Sequence, residues 1–66
     1  MNRPSLSLQP SEAIVAESAA VIYAAYVASG RVPEGAEQKW INRSVQEAIQ
    51  IARLTDETIH SDSEMA

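Results

Sequence analysis

The sequence predicts an all-α protein: an antiparallel two-helix hairpin that dimerises into a four-helix bundle. Three observations lead there. Two long segments free of Gly and Pro flank a short stretch holding Gly30, Pro33 and Gly35, and helices joined by a short loop lie antiparallel. In the second segment apolar residues recur at spacings of three and four, the period of a helix and not of a strand. Finally, 66 residues with no cysteine, one Trp, two Tyr and no Phe offer neither disulfides nor thiolate metal sites nor much bulk. Association is the usual remedy for a chain so short.

Residues 1–10 read as a flexible tail. Pro4 and Pro10 lack amide donors, and Ser5 and Ser7 favour local turns. Leu6 and Leu8 alternate with polar neighbours and offer a short extended piece to the core. Ser11 suits an N-cap, with Glu12 placed well near the positive helix end. The first helix is predicted over about 12–29, rich in alanine and stopped by Gly30. Pro33 suits the first turn of the next helix, and Glu34 and Glu37 lie near its amino end. That second helix is predicted over about 34–59, making 11–59 the hairpin. Residues 60–66 are polar and acidic and read as a disordered tail.

The two helices carry different surfaces. In the second, Ile41, Val45, Ala48, Ala52, Thr55 and Ile59 make a seam of the kind helices pack with, widened by Ile49 and Ile51. Lys39, Arg43, Gln46, Gln50 and Arg53 lie opposite. Arg43 with Glu47 and Arg53 with Glu57 are four apart, and each exposed pair adds roughly 0.2–0.5 kcal/mol. The first helix has almost no wet face: from 13 to 28 only Glu17 and Ser18 are polar. Its larger side chains are Ile14, Val15, Ile22 and Tyr26, with Val21 and Tyr23 at the edges. Ala16, Ala20, Ala24 and Ala28 form a ridge of small residues that lets another helix approach closely.

A helix apolar nearly all round is buried on most sides, and one partner helix covers only one side. The remaining patch marks a contact surface, which a second copy of the chain fills. The interface candidates are Ile14, Ala16, Ala20, Val21, Ile22, Tyr23, Ala24, Tyr26, Trp40 and Val45. Tyr23, Tyr26 and Trp40 serve equally well as core or as a protein-binding surface, being interface anchors with a polar tip.

Other function classes find little support. A net charge of −4 and only Lys39, Arg43 and Arg53 on the second helix, interleaved with Glu37, Glu47 and Glu57, make a poor phosphate footprint. The apolar run of about 16 residues spans roughly 24 Å as a helix, short of the ~20 residues a membrane crossing needs, and Glu17 within it is costly in hydrocarbon. Glu12 and Glu17 also sit where a secretion signal avoids charge. Asn42, Arg43 and Ser44 match a glycosylation pattern, yet inside a predicted helix. His60 is the only histidine, and its position near a helix carboxyl end follows from the dipole. No carboxylate pair, nucleophile with a base, or phosphate-cradling loop stands out. The expectation is a cytoplasmic, non-enzymatic protein without metal or cofactor. It acts by self-association and by docking a helix of another protein; the alternative is a small nucleic-acid-associated regulator.

Overall fold

Runs of alanine and aliphatic residues without Gly or Pro wind into helices, and the Gly and Pro positions punctuate them. The computed structural model describes the backbone of residues 10–65 and the side chains of residues 10–60. Two helices, α1 (Pro10–Ala28) and α2 (Glu37–Met65), pack on each other, and no strand occurs among the described residues. The N-terminal tail, with Leu6 and Leu8, lies outside the described residues apart from Pro10.

Pro10 opens α1, so Ser11 sits inside the first turn and not at the cap expected for it. Pro suits that place because its missing amide is one the helix leaves unpaired anyway. The far end closes as a Schellman motif. Gly30 adopts φ +78°, its amide donates to the Val27 carbonyl at 3.0 Å, and the Arg31 amide donates to the Tyr26 carbonyl at 3.0 Å. Those two bonds satisfy carbonyls the helix end would orphan. The Ser29 hydroxyl donates to the same Tyr26 carbonyl at 3.0 Å.

Pro33 does not enter the second helix. It opens a β-turn in which the Ala36 amide donates to the Pro33 carbonyl at 3.0 Å. Gly35, with φ +93°, takes the third position, where a type II turn needs positive φ. Ala36 then accepts the first α2 hydrogen bond, from the Trp40 amide at 3.2 Å. The Glu37 carboxylate accepts from the Gly35 amide at 3.0 Å, tying the turn to the helix. α2 thus starts three residues after the expected position of about 34 and runs on to Met65, past the predicted end at 59 and through most of the stretch read as a disordered tail. No Gly or Pro follows Thr58 to stop it, and elongation adds one bond per residue fixed.

The crossing is made by small residues. Ala19 of α1, 6% exposed, meets Ser44 and Ala48 of α2, each 1% exposed. The Ser44 hydroxyl donates to the Trp40 carbonyl one turn back at 2.8 Å, so it is buried without an orphaned donor. The seam of α2 is therefore buried at Ser44 and Ala48 and half-buried at Trp40, Val45 and Ala52. That corrects the predicted seam: Ile41 is 39% exposed, Ile59 56% exposed, and Thr55 is exposed too. Counting Ser44 as polar hid the true centre of the stripe.

Candidate functional site

Helix ends position the side chains that join α1 to α2. Tyr26 sits in the last turn of α1 and Trp40 in the first turn of α2, so the loop brings them together. Their ring centroids are 4.8 Å apart at 61°, an edge-to-face arrangement that aromatic quadrupoles favour. One and two turns along α2, Arg43 and Glu47 complete the cluster. The Tyr26 hydroxyl donates to Glu47 Oε1 at 2.6 Å. Arg43 Nε donates to Glu47 Oε2 at 3.2 Å. The Arg43 guanidinium lies 5.1 Å from the Trp40 ring centroid and 5.7 Å from that of Tyr26, within cation–π range.

These contacts set the protonation of the cluster. The Tyr26 hydrogen bond, followed by that of Arg43, holds the Glu47 carboxyl below its ordinary value. The same bond to Glu47, with burial, raises the Tyr26 phenol. Donation to Glu47 raises the Arg43 guanidinium further. The cluster thus fixes an ionised carboxylate, a neutral phenol and a cation, and it acts as a clasp across the closed end of the hairpin. Arg53 and Glu57 form no such pair. A base four residues before an acid is the weaker orientation on a helix, and no α1 residue anchors Glu57 as Tyr26 anchors Glu47.

The clasp divides the interface candidates. Tyr26 and Trp40 are half-buried against each other, and Ile22, Tyr23 and Val45 are half-buried between the helices. Ile14, Val21, Ala16, Ala20 and Ala24 face outward, Ile14 at 63% and Val21 at 71% exposed. Val27, Ile51 and Leu54 are also outward, at 50%, 55% and 64%. Leu54 and Glu47 were not among the candidates. Leu54 falls off every apolar stripe on the helical wheel, and nothing in sequence spacing links Glu47 to Tyr26.

Apolar grooves run along both sides of the helix pair. One, of about 480 Å³, is lined by Ile14, Val15 and Ser18 of α1 with Ile51, Thr55 and Ile59 of α2, among others. The opposite side carries two adjoining hollows of about 310 Å³ and 300 Å³. Ala16 and Val45 line both of these. Polar chemistry in the grooves is sparse. His60 Nε2 lies 3.7 Å from Asp56 Oδ1 on exposed surface, and among the described residues no three His, Asp or Glu side chains gather as a metal site would require.

At 19 residues α1 is longer than the apolar run of about 16 read from the sequence, and among the described residues it is the one helix long and apolar enough to cross a membrane by length and composition, which corrects the expectation that it is too short; 6% of its apolar window is buried. Core helices of soluble proteins and signal sequences have the same length and composition. The chain matches no protein-family model, no curated protein and no solved structure with which it was compared.

Proposed function

We propose that this protein works by association: it pairs with a second copy of itself and presents helical surface to other proteins, without catalysing a reaction. The observation that supports this is the outward apolar surface of α1, with Ile14 at 63%, Val21 at 71% and Val27 at 50% exposure around the alanine ridge. A crossing made of Ala19, Ser44 and Ala48 buries little area, and at ~25 cal/mol per Å² such side chains contribute little. A second hairpin laid on the first would build the four-helix bundle and supply the missing core. Light scattering across a dilution series tests this. Mass close to twice that of the chain, falling on dilution, is expected; a stably folded monomer at micromolar concentration would overturn the proposal.

A nucleic-acid-associated role is the alternative. It draws on Lys39, Arg43 and Arg53, but Arg43 is already engaged by Glu47. Retention on DNA that falls steeply with salt would favour it. Membrane residence draws on the apolar length of α1. Glu17 is exposed on that helix, and a carboxylate in hydrocarbon is costly; flotation with lipid vesicles would favour the membrane over the expected cytoplasm.

A further inference from the structure

We propose that the groove of about 480 Å³ at the open end of the hairpin is covered by the chain's own residues 1–9, with Leu6 and Leu8 seated in it and Arg3 beside Asp56. Three exposed aliphatic side chains gather there: Ile14 is 63%, Ile51 55% and Ile59 56% exposed, and all three line the groove. On the other side of the pair Val45 and Ile49 are already half-buried. α1 itself extends the cover no further. From the crossing at Ala19 and Ala48, Pro10 lies about 14 Å along α1 and Ile59 about 16 Å along α2. α1 therefore begins level with Ile59, while α2 runs on to Met65. The chain that continues past this point is the segment joined to Pro10, and Ser11, the next residue, lines the groove.

Length, pattern and charge fit this occupant. α1 lines the groove from Ser11 to Ser18, about 10 Å, and nine extended residues reach up to ~30 Å. Arg3 and Gln9 each precede a proline, a position that disfavours helix and favours extended chain. On extended chain Leu6 and Leu8 share one side, and Ser5, Ser7 and Gln9 share the other. An apolar edge thus meets the groove and a polar edge meets water. Asp56 is the one charged residue lining the groove, and Arg3 carries the one charged side chain in residues 1–9, so the two make an opposite pair. Tethering beside the groove makes docking intramolecular, which favours the segment over a separate chain. Pro4 and Pro10 restrict the free segment, so less freedom is lost when it docks. Val21 and Val27, toward the closed end of α1, lie outside this groove. They remain for the self-association proposed above, on which this inference does not depend.

The chain has no cysteine, so a single introduced thiol reports on cover of the groove. In the full chain, the Ile51→Cys variant is alkylated with iodoacetamide, with and without Leu6→Ser and Leu8→Ser, and circular dichroism checks that helix content is kept. Leu6→Ser alone, farther from α1, serves if the pair disturbs the helix. The Ile51→Cys thiol should react about fivefold faster when both leucines are replaced, and by the same factor across a dilution series. A Val21→Cys thiol, outside the groove, should react at one rate in both backgrounds. No change at Ile51→Cys would overturn the proposal, and so would an equal change at both thiols. Protection that survives leucine replacement and fades on dilution would put a second copy in the groove and overturn it too. Sedimentation of the unaltered chain reads self-association separately, so either idea can fail without the other.

Discussion

Glu47 takes donors from two helices, and its removal distinguishes the clasp from ordinary surface charge. Its carboxyl is held below the ordinary value of 4.5, so it stabilises the fold above that value and the contribution is lost as pH falls through the lower folded value. Tyr26 is raised above 10.0; its contribution is present below that value and lost as pH rises through the higher folded one. The clasp is therefore complete across the neutral range. Thermal unfolding followed by circular dichroism at pH 7 and pH 3 should show a smaller acid-induced drop for Glu47→Gln than for the unaltered chain. An equal drop in both would assign the acid effect to other carboxylates. Tyr26→Phe should lower the unfolding midpoint at pH 7, since it keeps the ring contact with Trp40 and deletes only the hydroxyl bond to Glu47. Gln46, by contrast, is exposed, and Gln46→Glu should change stability by no more than about 0.5 kcal/mol. The exposure of Gln46 and the pairing of Glu47 with Arg43, four residues apart on one helix, were legible in the sequence; the bond from Tyr26 was not. Tyr26 and Glu47 meet across the hairpin, and no local spacing encodes a meeting 21 residues apart.

At the scale of the elements, the ends were more legible than the faces. Gly30 ends α1 by the left-handed conformation that glycine tolerates, and the motif was readable because it is local. An added Cβ at Gly30 meets nothing within 4 Å, so Gly30→Ala costs backbone strain alone, ~1 kcal/mol, measurable by urea unfolding. A neutral result there would mean the loop relaxes to another turn. Pro33 was harder to place: the same residue suits a first helical turn and a β-turn, and the choice fell to Gly35 and the Glu37 carboxylate. The buried stripe of α2 was misplaced for a related reason. Residue type marks Ser44 as polar, whereas its hydroxyl is satisfied by its own helix at Trp40. Helices that cross closely select small residues, and a back-bonded serine is small.

For the whole molecule, the contrast between two alanines, one on each helix, is the sharpest test. Ala48 is 1% exposed, and Ala48→Glu would place an unpaired carboxylate in the crossing; the hairpin should lose its helical signal. Ala20 is exposed on the single chain, so Ala20→Glu should leave helix content intact while raising the dimer dissociation constant about tenfold or more. Analytical ultracentrifugation beside circular dichroism separates the two outcomes. An Ala20→Glu protein that dimerises normally would show that the alanine ridge stays in water.

What the sequence by itself determined is the helical hairpin: two segments of helix-forming residues, a glycine stop, a turn, and too little bulk for a deep core. These follow from propensities and breakers that act within a few residues of chain. Tertiary structure alone decided which stripe of α2 faces α1, that Tyr26 and Trp40 turn inward on each other, and that Glu47 clasps the hairpin shut. It also decided that the alanine ridge of α1 is left outside the crossing. The reason is rotational. Periodicity says that a helix has an apolar side, but α1 is apolar nearly all round, and only the fit of Ala19 against Ser44 and Ala48 sets the angle at which the two helices meet.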